Sequence, residues 1–427
     1  MAMAIGAGFV LATLAPLSVV LDWGWGANYT AVVQAHGQVQ ILGWVGLFIM
    51  GMAYRLMPRF SGRPLPAPPF VWTSWLALSA SLILRMAAQP ASEGVWQQSM
   101  LVTSGALGVI AAVVFAIVVV RTIAHRESRA GATGYFFLLG AGAFVAQACL
   151  NLVLLIQVAQ RSGDVLYPLD AAGLLHLQFY GFISMFVLGV ATRAVPTFSG
   201  LPRSELQGKA LAIALAGAVT VFLVAALLTA KDGRSGALNQ VEAWSFAMLG
   251  PLFVAGAWQA GILRPKANRV AAASQPHVWF IRAAFVWLLI AAGIASYYGV
   301  RAGFTGTTIS AHGVDALRHV VGLGFASQMI IGMAMMILPE FAIRRMRYPR
   351  ERMPTLMLLL LLNTAVALRV GAAVATPQWT SLDRFWPMAI AGGLGWSAVV
   401  LFAAIFVWGM VHKRSIVESG MTRRSAS

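Results

Sequence analysis

The sequence predicts an all-α, polytopic membrane protein with twelve transmembrane helices, and three observations lead to this prediction. The chain has 427 residues, of which 59% are hydrophobic and only 10% are charged, with a mean hydropathy of +0.78. Soluble domains carry about 25% charged residues, so this composition excludes a soluble globular fold. Apolar stretches of about 18 residues or more recur along the chain, and basic residues concentrate in alternate loops.

Twelve apolar segments are each long enough to cross about 30 Å of hydrocarbon at about 1.5 Å per residue. We expect them to form one transmembrane domain, followed by a short cytoplasmic tail at residues 416–427. No signal-peptide cleavage site is recognisable after the first segment, which is therefore expected to remain as a span. The predicted spans are residues 4–21, 31–55, 70–90, 99–121, 134–158, 172–195, 208–230, 243–263, 278–300, 314–338, 354–376 and 387–411.

Basic residues concentrate in the loops that follow the even-numbered spans. Examples are Arg59 after span two, Arg121 after span four, Arg203 after span six and Arg347 after span ten. The positive-inside rule then places these loops and both termini in the cytoplasm, as expected for a protein of the bacterial inner membrane. The net charge of +17 is explained by this topology and by contact with anionic lipid, so we expect no nucleic-acid partner.

Spans two, six and ten share one sequence pattern. They read QVQILGWVGLFIMGMAYRLMPRFSG from Gln38, HLQFYGFISMFVLGVATRAVPTFSG from His176 and HVVGLGFASQMIIGMAMMILPEF from His319. In one register two glycines, a proline and a phenylalanine recur in all three, at offsets of 138 and then 143 residues. This self-similarity predicts three units of four spans, at about residues 1–129, 130–270 and 271–415. Chance similarity among closely packed, glycine-rich helices is the alternative.

Four of the seven histidines lie in or just before these three helices, near their outer ends: His36, His176, His312 and His319. Ionisable residues in spans are costly and usually face the interior of the bundle. Because imidazole is a common axial ligand of haem iron, His36 and His319 are expected to ligate one haem if spans two and ten are neighbours. His176, and with it His312, would serve a second site. The alternative is that these histidines form hydrogen bonds between helices.

Two arginines and a tyrosine complete the set of candidate residues. Arg85 and Arg369 end spans three and eleven at the outer side, where arginine forks suit the two propionates of haem. Snorkelling of these arginines to the headgroups is the alternative. Tyr180 follows His176 by four residues and lies on the same helix face. The pair suits redox or proton transfer and is the candidate for catalysis, although ordinary aromatic packing would also explain it.

The arrangement resembles the haem-copper oxidase superfamily and, more closely, the NnrS family of haem- and copper-containing membrane proteins linked to nitric oxide metabolism. The segment AHGQVQILGWVGLFIMGMAYRLMPRFSGRPL looks like the first histidine-bearing helix of the NnrS family, and RHVVGLGFASQMIIGMAMMILPEF looks like its later one. In the oxidases, helices two and ten ligate a low-spin haem, and helix six supplies a copper ligand. The resemblance implies haem b bound by His36 and His319, and a metal-binding role for His176.

Copper is less well supported than haem b. The oxidases carry adjacent histidines on helix seven, and predicted span seven has none. They also carry two histidines two residues apart on helix ten, whereas His312 and His319 are seven residues apart. A three-histidine copper centre is therefore not expected.

Three functions remain open from the sequence. The first is an NnrS-like haem b protein that binds or reduces nitric oxide, or relays electrons, near the outer face. The second is a transporter or channel without a cofactor, since repeated spans are common in such proteins. The third is a haem-bearing anchor subunit of a respiratory complex, which would pass electrons to a redox partner protein.

Overall fold

The fold is described from a computed structural model. The structure describes residues 1–26, 28–91, 94–125, 127–199, 204–263, 276–341, 353–375 and 383–411. The basic loops predicted after spans eight and ten, and the predicted tail at 416–427, lie outside these ranges. The described part of the chain is helical and contains no β-strand.

The described part of the chain is built from apolar helices. A chain that spans a membrane requires such helices, because a helix satisfies its own backbone polar groups in lipid. Eleven described helices are long and apolar enough to span a membrane, and a shorter apolar helix precedes them. The prediction of a multi-pass, all-α protein is therefore confirmed. The helices are α1 Ala4–Val20, α2 Asn28–Ser61, α3 Pro68–Ala88, α4 Val95–Ile123, α5 Gly131–Gln160, α6 Pro168–Thr197, α7 Glu205–Asp232, α8 Gly236–Gln259, α9 His277–Thr305, α10 Ala311–Ile337, α11 Met353–Ala375 and α12 Phe385–Gly409.

Local sequence sets several helix ends. Pro68 and Pro168 stand at the start of α3 and α6, where the missing proline N–H has no helical partner to lose. The hydroxyls of Ser204 and Ser235 accept hydrogen bonds from backbone N–H groups three residues on, which caps α7 and α8. Gly62 adopts a left-handed conformation, with φ of 79°, immediately after α2, and glycine does so without steric cost.

Helices α2, α6 and α10 form the centre of the bundle. Their most apolar windows are 72, 89 and 78% buried, against 28–56% in the other eight long helices. The three helices contact one another, and the remaining helices lie around them. Neighbouring pairs in this outer layer are α3–α4, α4–α5, α5–α7, α7–α8, α8–α9, α9–α11, α11–α12 and α12–α1.

Each central helix contains a π-helical segment: Val39–Gly46 in α2, Leu177–Ile183 in α6 and Val320–Ala326 in α10. Their first residues are 138 and then 143 residues apart, which are the offsets of the sequence pattern. The three segments meet pairwise in the middle of the bundle. Because π-helical turns are rare and frequently occur at functional sites, this region is the first place to look for one.

Two π segments end in the same hydrogen bond. The hydroxyl of Ser184 donates to the carbonyl oxygen of Phe179 over 2.8 Å, and that of Ser327 donates to Gly322 over 2.9 Å, each five residues back. Each hydroxyl therefore satisfies a carbonyl at the return from the wider π turn to the α-helix.

Close packing of α8 against α9 depends on Gly299. A Cβ atom added there would lie 2.6 Å from the backbone nitrogen of Ala247, and backbone atoms cannot rotate out of the way. We expect Gly299→Val to force the two helices apart and to lower stability by about 1–3 kcal/mol. Gly293→Val is the matched control, because a Cβ on Gly293 of the same helix would meet nothing within 4 Å. Thermal unfolding in detergent checks the prediction, and equal effects of the two substitutions would contradict it.

Candidate functional site

A cavity of about 470 Å³ lies between the central helices and α1 and α12. Its volume is within the range of about 300–1,000 Å³ that is typical of cofactor and small-molecule sites. Most of its wall is apolar and comes from α1, α2, α6, α10 and α12. The apolar wall includes Phe9, Ala12, Val33, Ile41, Trp44, Leu174, Phe179, Ile183, Leu323, Met388 and Ala391.

Polar side chains line this cavity on the side where α2 and α10 begin, which we call the histidine side. They include His36 and Gln38 of α2, Arg85 of α3, Asp315, Arg318 and His319 of α10, and Arg369 of α11. The cavity is therefore amphiphilic, with an apolar body and a basic, imidazole-bearing part. His36 and His319 were expected to share a ligand only if the helices that carry them are neighbours. Helices α2 and α10 are neighbours in the structure.

His36 is oriented by a backbone carbonyl. Its Nδ1 lies 2.7 Å from the carbonyl oxygen of Gly8 in α1. A carbonyl oxygen only accepts hydrogen bonds, so Nδ1 carries the proton and Nε2 keeps its lone pair. Gly8 also packs closely against Gln40 of α2, since a Cβ on Gly8 would lie 2.8 Å from the carboxamide carbon of Gln40.

His319 is oriented in the same way, by a backbone carbonyl of its own helix. Its Nδ1 lies 2.8 Å from the carbonyl oxygen of Asp315, one helical turn back, and 3.2 Å from Oδ1 of the Asp315 carboxylate. Both partners accept, so Nδ1–H donates and Nε2 again keeps its lone pair. Two imidazoles that line one cavity thus each keep a nitrogen lone pair that a metal ion could use.

Arg369 forms a two-pronged ion pair with Asp315. Its Nη1 lies 2.8 Å from Oδ2 of Asp315, and its Nη2 donates to Oδ1 over 3.0 Å. A planar guanidinium matched to a carboxylate in this way is a strong, geometrically specific contact. Arg369 is therefore at the predicted site, but its guanidinium is already engaged by a carboxylate of the chain.

Arg85 is only 3% exposed, and its two terminal nitrogens have no hydrogen-bond partner within the described residues. Its Nε donates to Gln89 over 2.5 Å, and Gln89 donates to Gln34 over 2.8 Å. Gln34 in turn bonds both backbone groups of Leu166, in the segment before α6. This chain of contacts fixes Arg85 with its fork free. A buried guanidinium without a partner is costly, which indicates a site for an anionic group.

The charges that line the cavity do not balance. The charged residues that line the cavity are three arginines and one carboxylate: Arg85, Arg318, Arg369 and Asp315. Two positive charges are therefore uncompensated. Ionisable groups within a membrane normally pair with opposite charges. A ligand with two carboxylates would supply the missing charges.

His176 and Tyr180 lie at a different place. Neither is among the residues that line the cavity. The His176 ring stacks on Phe222 of α7 at a centroid distance of 3.8 Å, and Tyr180 is 6.3 Å from Phe253 of α8. Nε2 of His176 and the hydroxyl of Tyr180 are buried without a hydrogen-bond partner in the described part of the chain. Arg318 interacts electrostatically with both side chains and so lies between this pair and the cavity.

The residues present do not fit a three-histidine copper centre. Among the described residues, no three His, Cys, Asp or Glu side chains lie together in a way that could hold a metal ion. His312 is partly exposed at the start of α10 and does not line the cavity. The two cavity histidines form a pair, which suits a metal whose other ligands come from a macrocycle.

Comparison with protein-family models finds no match for this chain, and comparison with curated proteins finds none either.

The structure brings four of the residues expected from the sequence to one cavity: His36, His319, Arg85 and Arg369. Asp315 and Arg318, which line the same cavity, were not expected from the sequence. A signal for Asp315 was present in DALRH, where it precedes His319 by four residues and so lies on the same helix face. Gln89 follows Arg85 by four residues, so the same kind of signal was present for it, whereas Gln34, which contacts Gln89 from another helix, left none.

Proposed function

We propose that this chain is a haem b-binding integral membrane protein resembling the NnrS family, and that it relays electrons. The observation that carries the proposal is the pair His36 and His319. Each imidazole donates through Nδ1 to an acceptor of the chain, and each keeps Nε2 for the one cavity that both residues line. Hydrogen bonding at Nδ1 is how proteins orient histidines that ligate metals.

The rest of the cavity fits the same ligand. Haem is a flat, largely apolar macrocycle with two carboxylates on one edge, and the cavity is apolar apart from its basic histidine side. The two uncompensated positive charges equal the charge of two propionates. Because Asp315 already engages Arg369, Arg85 and Arg318 are the arginines that we assign to the propionates.

Ligation by two histidines favours electron relay over nitric oxide chemistry at this haem. When bound, haem b supplies a one-electron ferric–ferrous couple. His36 and His319 would both hold the haem iron, and the chemistry that haem b would supply there is electron transfer rather than the binding of nitric oxide. The chain would hold both rings in one tautomer, surround the macrocycle with apolar side chains and offer Arg85 and Arg318 to the propionates. An electron relay requires a redox partner protein, so this proposal includes the role of a haem-bearing anchor subunit.

The wider arrangement proposed here is three units of four helices in a haem-copper-oxidase-like layout. The π segments of α2, α6 and α10, spaced at the offsets of the sequence pattern, support it. The concentration of Lys and Arg in alternate loops supports an inner membrane location with both termini in the cytoplasm. The haem would then lie near the outer face, because the histidine side of the bundle is opposite the basic loops.

A haem assay separates this proposal from a cofactor-free transporter, for which the same basic cavity would suit an organic anion. We expect protein purified from haem-supplied cells to contain haem b in a pyridine haemochrome assay, with about one iron per chain by metal analysis. A colourless, folded protein that carries an anionic solute into liposomes would contradict the proposal.

A further inference from the structure

The two cavity histidines have different partners, and this difference has a consequence for the metal. Nδ1–H of His36 donates to a neutral backbone carbonyl, that of Gly8. Nδ1–H of His319 also faces a carboxylate oxygen of Asp315, at 3.2 Å. A carboxylate behind a ligating imidazole increases the electron density that the imidazole gives to its metal, and outer contacts of this kind are a means of tuning the metal.

Arg369 keeps the carboxylate of Asp315 in position. Both terminal nitrogens of its guanidinium contact the two carboxylate oxygens, at 2.8 and 3.0 Å. The pairing fixes the carboxylate plane in one orientation and offsets the cost of a carboxylate within the bundle. A charged pair, Asp315 and Arg369, thus stands behind His319, whereas Gly8 presents only a neutral carbonyl to His36.

We propose that Asp315 is a positioning residue for His319, and that the Asp315–Arg369 pair sets the reduction potential of the metal centre. This inference rests on the proposed haem at His36 and His319. The carboxylate stabilises the more positive, ferric state, and the guanidinium opposes it. Removing either member of the pair therefore shifts the potential, and the two shifts have opposite signs.

Redox titration of purified protein tests the inference. We expect Asp315→Asn to raise the midpoint potential, because it removes the anion and leaves the charge of Arg369 uncompensated. Arg369→Gln is expected to lower the potential, because it leaves the carboxylate alone beside His319. The double variant is expected to fall between the two single variants, and Asp315→Glu to remain nearest the wild type.

The outcomes separate this inference from the proposed function. Wild-type protein without haem would overturn both. Two results with haem-loaded variants would overturn only the inference: an unchanged potential, or a shift in the same direction for both single substitutions. A general structural disturbance would not make the direction of the shift follow the sign of the lost charge. If Asp315→Asn fails to retain haem, the sign of the shift in Arg369→Gln decides.

Discussion

Replacing either His36 or His319 with alanine is expected to abolish the spectrum of a six-coordinate, low-spin haem. The two residues lie on different helices on the wall of one cavity, and each keeps Nε2 as its only free ring nitrogen. Loss of one imidazole leaves iron with a single protein ligand, so we expect a five-coordinate, high-spin spectrum and reduced haem content. The double variant is expected to purify without haem. Optical spectra with a haemochrome assay measure both quantities.

His312→Ala is the control for these variants, because His312 stands on the same helix as His319 but outside the cavity. Its spectrum is expected to match the wild type. Added imidazole should restore the low-spin spectrum of the single variants, since the substitution leaves space at the vacated ligand position. If His36→Ala and His319→Ala both keep the wild-type spectrum, the ligand assignment is wrong.

Arg85→Gln is expected to weaken haem retention by about 10- to 100-fold. The two terminal nitrogens of Arg85 are buried and have no partner in the described residues, and Arg85 is one of the two arginines that we assign to the propionates. Hydrogen bonds to charged groups contribute about 1.5–3 kcal/mol, and about 1.4 kcal/mol corresponds to a factor of ten. The rate of haem transfer to excess apomyoglobin measures the effect.

Arg301→Gln controls for the loss of a positive charge, because Arg301 is exposed on α9 and does not line the cavity. It is expected to retain haem as the wild type does. Arg85→Lys should lie between wild type and Arg85→Gln, since an ammonium keeps the charge but lacks the two-pronged fork. Equal rates of haem loss from wild type and Arg85→Gln would contradict the assignment of Arg85 to a propionate.

The sequence predicted the helices and grouped spans two, six and ten by a shared pattern, and the structure places these three helices at the centre of the bundle. Their glycines and polar residues repeat in one register, and a membrane-buried polar residue has to face the bundle interior. The same reasoning could not orient individual side chains. His176 and His319 share one register position, yet His319 lines the cavity and His176 stacks on Phe222 of α7. That difference depends on which helices pack beside each central helix.

The roles of the arginines also needed the structure. From the sequence, Arg85 and Arg369 were equivalent candidates at the ends of two spans. Only the packing of α10 against α11 brings Asp315 to Arg369, while Arg85 meets the neutral carboxamide of Gln89. The packing of α10 against α11 therefore decides which of the two guanidinium groups is paired with a carboxylate.

An experimental density map of protein purified from haem-supplied cells is the most direct test of the two-histidine haem site. The account predicts a planar feature in the cavity between α2 and α10, joined to Nε2 of His36 on one side and to Nε2 of His319 on the other. A cavity filled with lipid or solvent, or rings of these two residues turned away from a shared ligand, would contradict it.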